Sequence, residues 1–231
     1  MGKLIVIEGA DGSGKGTQVT MLHTHLHNLD RSVVKFDFPQ YKTKRIGAFI
    51  GEQLAGKHGD FRNMSPYIAA LSYSLDRATQ KDAIRAASSK GGIVLFDRYT
   101  ESNLAFQGAK IADLGERAKF IEFVETVEYT ELGIPPATLV IYLAVPAEIS
   151  SELIQKKSAR SYLDGKVKDQ YEADLEYQKL VAGVYRDLAR SRKHWRVVEC
   201  ARNGVMRTPW NIHKEILKIV EVHIGGNDIM L

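Results

Sequence analysis

The sequence predicts a doubly wound α/β domain on a parallel sheet, and three observations carry that expectation. Short apolar runs alternate with longer segments of helical period, the pattern of strands joined by crossover helices. Two of the runs, Leu4-Ile5-Val6-Ile7 and Ile93-Val94-Leu95-Phe96, are continuously apolar, as in strands covered on both faces, and Thr138 to Ala144 reads as a further buried strand. Gly9, Pro39 and Asp97 each fall where a strand ends, the edge at which open α/β sheets bind ligands.

Leu4 to Ile7 is the first strand. It runs into Gly9-Ala10-Asp11-Gly12-Ser13-Gly14-Lys15-Gly16-Thr17, and Val19, Leu22, Leu26 and Leu29 recur behind that loop at helical spacing. Strand, glycine loop and helix in this order make Gly-x4-Gly-Lys a P-loop. Glycines let backbone N–H groups converge on an anion, and the helix N-terminus adds partial positive charge. Gly9 to Thr17 is therefore the expected triphosphate site, with Lys15 reaching the β- and γ-phosphates. The pattern asks for a Ser or Thr hydroxyl directly after the lysine, as a magnesium ligand. Gly16 stands there instead, and Thr17 comes one position late. His23 and His27 share a face of this first helix at i, i+4. With no carboxylate or third ligand beside them, a half-exposed polar flank is expected.

Val33 to Phe38 is a second strand, closed by Pro39. A helix is expected from Arg45 to Leu54, then a polar loop from Gly56 to Asn63. Ser65 as cap and Pro66 in the first turn open a long amphipathic helix to about Ala87, ended by Gly91-Gly92. The strand Ile93–Phe96 ends in Asp97-Arg98-Tyr99. A helix follows from about Leu114 to Val127, and Pro135-Pro136 breaks the chain before the strand at Thr138. Pro146 starts a helix to about Lys157. Tyr171 to Ala189 is helical, Arg196 to Glu199 a last strand, and Pro209 to Val222 a last helix. No repeat, low-complexity tract or linker interrupts the 231 residues, so a single domain over 1–231 is expected.

Composition narrows the class. No apolar run reaches the roughly 18 residues of a membrane span, and Met1 leads straight into the first strand, so neither a membrane partner nor a signal peptide is expected. One cysteine, Cys200, allows no internal disulfide. That suits a reducing, cytoplasmic setting, with the thiol buried and inert. A net charge of +4 is too small and too evenly spread to argue for nucleic acid, and it suits small anionic substrates.

Three features outside the P-loop bear on chemistry. Asp97-Arg98 at a strand end can hold magnesium through water and clamp a phosphate with a planar fork, or can be a strand-terminal ion pair. Tyr73 and Arg77 lie one turn apart on one helix face, where they either stack a base and read its edge or pack the core. The polar stretch 158–169, with Arg160, Lys166 and Lys168, is either a basic lid over transferring phosphates or a solvated loop.

These residues also resemble a known family. Gly9-x-Asp11-Gly12-x-Gly14-Lys15, Phe38-Pro39-x-Tyr41, Leu75-Asp76-Arg77-Ala78, Asp97-Arg98-Tyr99 with Ser102-Asn103 and Ala105-Phe106, and Asp169-x-Tyr171-Glu172 are similar, in order and spacing, to the motifs of thymidylate kinases. The resemblance spans residue 3 to about residue 222. It implies a P-loop NTPase fold with five parallel strands in the order 2-3-1-4-5, a homodimer formed through helices, and phosphorylation of dTMP to dTDP by ATP with magnesium, on the way to dTTP. It also implies roles. Tyr73 would stack on the base, Arg77 read its carbonyl, and Arg98 clamp the monophosphate. Asp11 would contact the 3′-OH and help order magnesium. Phe38 and Tyr41 would line the monophosphate side, Asn103 and Phe106 the sugar, and Tyr171 and Glu172 would close from the lid side. Some relatives carry an arginine inside the P-loop where this chain has Ser13; Arg160 of the lid is the expected substitute. With Gly16 lacking a hydroxyl, Asp97, Asp11 and Glu172 form the expected magnesium environment. The alternatives are a kinase of another nucleoside monophosphate, UMP or AMP, and a P-loop NTPase that is no kinase. A guanine switch is disfavoured by the absence of any Asn-Lys pair.

Overall fold

The structure is a computed structural model that describes residues 2–89, 91–155, 171 and 174–225. Arg160, Lys166, Lys168 and Glu172, with the whole 158–169 stretch, lie outside the described residues. Five strands, β1 (Lys3–Glu8), β2 (Val33–Asp37), β3 (Ile93–Asp97), β4 (Leu139–Ala144) and β5 (Trp195–Glu199), form one sheet in the order β2-β3-β1-β4-β5. All its pairings are parallel, as the family resemblance implies. The helices are α1 (Lys15–Asn28), α2 (Arg45–Leu54), α3 (Pro66–Ala78), α4 (Lys81–Ser89), α5 (Thr100–Gly108), α6 (Leu114–Glu125), α7 (Ala147–Gln155), α8 (Leu175–Ser191) and α9 (Pro209–Ile224). A short antiparallel ribbon, Ala201–Arg202 with Val205–Met206, follows β5. Among the described residues no helix is long and apolar enough to cross a membrane.

Successive strand residues point to opposite faces, and β1 shows the consequence. Leu4 and Val6 enter one core with Phe96, Tyr99, Phe120, Tyr142 and Tyr185, beneath α3, α5, α6 and α8. Ile5 and Ile7 enter a second core with Leu22 and Leu26 of α1 and Ile216 of α9. The registers pair Asp97 with Ile7 on one side and with Asp37 on the other. The carboxyl ends of β2, β3 and β1 therefore finish level, beside the glycine loop.

Several expectations change. The helix expected from Ser65 to Ala87 is two, α3 and α4, and Ser65 makes no side-chain cap. The Thr79 hydroxyl donates back to the Asp76 carbonyl at 2.7 Å, and the tight bonds Thr79 N to Asp76 O and Gln80 N to Arg77 O close the turn. Such local bonding competes with helix continuation. The helix from Leu114 stops at Glu125 and widens into a π turn over Thr126–Glu131. Helix α5, absent from the sequence reading, is buried almost all round, so it shows no amphipathic period. Helix α8 begins at Leu175, where Asp174 caps it by accepting from Tyr177 N at 3.0 Å.

Candidate active site

The loop after β1 wraps tightly because its glycines take left-handed backbone. Gly12 has φ +79°, and a Cβ there would stand 2.5 Å from the Ser150 carbonyl of α7; Gly14, at φ +89°, starts α1. Lys15 lies inside the loop. Its Nζ donates to the carbonyls of Gly9 (3.0 Å) and Ala10 (2.8 Å) and to Ser13 Oγ (3.4 Å). Burial, then the nearby Arg98 cation, lower the Lys15 pKa to about 7, against the pull of Asp11, Asp97 and Glu8. Thr17 faces solvent.

Gly16 now has a physical reason. A Cβ on it would stand 3.0 Å from Asp97 Oδ2, so the carboxylate of β3 lies against the place where a hydroxyl-bearing side chain would project. Gly16, Thr20, Asp37 and Asp97 line a hollow there. Oxygen donors of this kind suit magnesium, which is held by one or two carboxylates together with substrate phosphates. Among the described residues no group of three or more His, Cys, Asp or Glu gathers as a complete metal cage. Asp97 fits the ion; Asp11 fits less well, because its carboxylate is already engaged.

That engagement crosses the site. Arg98 Nη2 donates to Asp11 Oδ1 in an ion pair between residues 87 apart in the chain, and Gln178 of α8 reaches Asp11 Oδ2 at 3.4 Å. Arg98 Nη1 donates to Ser102 Oγ (3.0 Å) and to the Gly9 carbonyl (3.3 Å), and the guanidinium stands 5.0 Å from the Phe106 ring centre. Burial opposes its charge, but Asp11 and the other carboxylates outweigh that and push its pKa above the ordinary value. Arg98 has φ +66°, a strained backbone for a non-glycine residue and one concentrated at functional sites.

Glu8, missed in the sequence, holds this corner. Buried at the end of β1, its Oε1 accepts from Tyr99 N (2.8 Å) and Ser102 N (3.1 Å) at the start of α5. Its Oε2 accepts from Ser102 Oγ and Tyr185 OH, both at 2.7 Å. A lone carboxylate ending an apolar strand was the available signal, since a buried charge needs partners. Ser150, also missed, donates its hydroxyl to the Asp11 carbonyl.

Beside the loop a cleft is lined by Asp11, Pro39, Tyr41, Tyr73, Arg98, Asn103, Phe106 and Tyr171, among others. The structure thus brings together most of the residues expected at the substrate. Tyr171 packs on Tyr177 with ring centres 5.1 Å apart. Asp76 explains its place in the sequence pattern: its Oδ2 accepts from Gln40 N at 2.9 Å and ties α3 to the Pro39–Tyr41 turn. Two expected residues are not among the cleft's lining. Phe38 is turned into the core, 5.9 Å from the Tyr99 ring centre, because it continues the inward alternation of β2. Arg77 is only 2% exposed and is paired with Glu128, its Nε donating to Oε2 at 2.7 Å. The π turn is what carries Glu128 inward.

Comparison with known proteins agrees with this arrangement. Residues 7–208 match the family model described as thymidylate kinase. The chain is 34% identical to the thymidylate kinase of Mycobacterium tuberculosis over 186 residues, covering 80% of this chain and 85% of that one. It is 32% identical to that of Pelotomaculum thermopropionicum over 224 residues, covering 95% and 93%. A solved thymidylate kinase structure from Candida albicans shares the fold, with a TM-score of 0.72 at 23% identity, over 96% of this chain and 92% of that one. A family match over most of the chain and relatives above 30% identity along most of their length place the chain in the thymidylate kinase family, and it phosphorylates dTMP.

Proposed function

We propose that the chain is one kinase domain, residues 1–231, that transfers the γ-phosphoryl group of magnesium-bound ATP to dTMP seated in the cleft. The observation that carries the reading is the position of Arg98, whose fork spans from the P-loop residue Asp11 to the cleft wall at Ser102 and Phe106. A monophosphate entering the cleft would exchange with Asp11 for this guanidinium, a charge-assisted and bidentate-capable partner. Asp11, so released, faces the sugar.

Phosphoryl transfer asks a protein mainly for positioning and charge stabilisation. The attacking phosphate oxygen is already anionic at neutral pH, so no general base is required. Lys15 and the loop N–H groups hold the triphosphate, while Arg98 neutralises charge on the acceptor side. Asp97 would hold magnesium beside the loop; the ion, when bound, supplies charge neutralisation across the phosphate oxygens. Tyr73 would stack on the base, Tyr41 would flank the phosphate, and Phe106 would crowd a ribose 2′-OH. Arg77, Phe38, Arg160 and Glu172 remain proposals from family resemblance, the first requiring its guanidinium to serve both Glu128 and the base, and the basic 158–169 stretch is proposed as the lid. We also propose a homodimer through α3, whose Ile68 and Leu75 are 56% and 48% exposed and lie two turns apart on one face. The single, buried Cys200, with its thiol pushed up to about 12 by burial, suits the cytoplasm.

The test is an acceptor panel with magnesium and ATP: dTMP, dUMP, UMP, AMP and GMP. The expected result is the highest kcat/KM for dTMP. A clear preference for AMP would overturn the assignment of the cleft.

A further inference from the structure

Glu128 belongs to no motif, yet it is the most heavily bonded carboxylate beside the cleft. It is 0% exposed. Its Oε1 accepts from Ser74 Oγ (2.8 Å), Asn103 Nδ2 (3.0 Å) and Arg77 Nη2; its Oε2 accepts from Arg77 Nε and Thr100 Oγ1, both at 2.7 Å. Burial works against its charge, but Arg77 and these hydrogen bonds hold the carboxyl below its ordinary range. It is therefore ionised and can only accept.

This constrains Asn103, which lines the cleft and is 2% exposed. Its Nδ2 donates to Glu128 and to the Ala70 carbonyl, each at 3.0 Å. Both neighbours are pure acceptors. A third, Ser74 Oγ at 3.4 Å, already has Glu128 and the Ala70 carbonyl as acceptors for its one proton, so turning the amide over would set oxygen against oxygen at both Glu128 and Ala70. The donor end is committed inward. Its Oδ1 is buried and has no hydrogen-bond partner among the described residues, which leaves an acceptor for an incoming donor.

We propose that Glu128 is a positioning residue for specificity: by fixing the amide polarity of Asn103 it makes the cleft select a base with an N–H on the edge it presents there. Thymine and uracil carry that N–H at N3. Cytosine carries a lone pair at the same ring position, and it would face Oδ1 acceptor to acceptor. A site built to hydrogen-bond one partner rejects a partner lacking the group strongly, because its own buried polar atom is left unpaired. The inference rests on the reading that the base of dTMP enters this cleft.

The experiment compares kcat/KM for dTMP and dCMP in the wild type, Glu128→Ala and Glu128→Asp. Glu128→Ala opens space for water, which can donate or accept, and so frees the amide to turn. Glu128→Asp keeps the charge opposite Arg77 for folding, but draws the carboxylate back from Asn103 by one methylene. The expected result is a dTMP-to-dCMP ratio that falls about tenfold or more in Glu128→Ala, and by a smaller factor in Glu128→Asp. A purely structural role would depress both substrates alike. A role through Arg77 would persist in an Asn103→Ala background, where the Asn103 route predicts no further fall in the ratio from Glu128→Ala. An unchanged ratio in whichever variants fold, Glu128→Asp alone included, overturns the inference while leaving the kinase reading intact. A wild-type enzyme with no preference for dTMP over dCMP would overturn the placement of the base itself, and the inference with it.

Discussion

A lysine with a pKa lowered to about 7 by burial and the Arg98 cation is largely neutral just above neutrality. Triphosphate oxygens beside Lys15 favour its charged form and raise that pKa. Binding therefore takes up a proton above pH 7, and ATP affinity falls as pH rises from 7 toward the pKa of the complex. Titration calorimetry at about pH 8 in buffers of different ionisation heat should report uptake of up to about one proton, and little at about pH 6. Lys15→Ala should lower kcat by about 10²–10³, the scale of a lost preorganised donor; near-normal turnover would remove Lys15 from the mechanism. Glu101 poses the opposite problem. It is buried, its Oε2 has no partner among the described residues, and burial, then Glu8, raise its pKa from 4.5 to about 8. The unfolded chain releases this proton near 4.5, so stability drains away as pH rises from there to about 8. Glu101→Gln should raise Tm more at pH 8 than at pH 5, as differential scanning fluorimetry would show.

At the scale of elements, α5 is held to β1 by Glu8, and the Arg98 guanidinium, the proposed phosphate clamp, is tied to that seat through Ser102. Glu8→Gln keeps the volume but weakens bonds to two backbone and two hydroxyl donors. A loss of about 1–3 kcal/mol in urea unfolding is expected, with KM rising for dTMP and not for ATP. If both KM values moved together, Glu8 would be a global brace and no part of the clamp. The loop after β1 is equally specific. Gly12→Ala adds a Cβ 2.5 Å from the Ser150 carbonyl at φ +79°, so the loop must shift. ATP binding should weaken about tenfold or more, given about 1–3 kcal/mol of backbone strain; unaltered nucleotide affinity would show that the loop tolerates the move. Legibility divides along the same line. The P-loop was readable because its meaning is local, strand then glycines then helix. Helix α5 was not, because burial on all sides erases the period that sequence reading needs, and the break at Thr79 depended on one hydroxyl turning back to a carbonyl.

For the whole molecule, the exposed Ile68 and Leu75 on α3 lead to a test of assembly. Ile68→Glu with Leu75→Glu should shift sedimentation from dimer to monomer while the fold persists by circular dichroism. A wild-type chain that sediments as a monomer would dispose of the dimer. The sheet's strands, the phosphate loop, the Asp97-Arg98 corner and the family are legible from the residues alone, since each is written in contiguous residues or in the order of short motifs. Which charges meet is set by the folded chain. Asp11 pairs with Arg98 across 87 residues and Arg77 with Glu128 across 51. Such contacts depend on two distant segments arriving at one place, and no periodicity records them. Likewise Gly16 looked like a defect in a motif until the fold set the Asp97 carboxylate beside it.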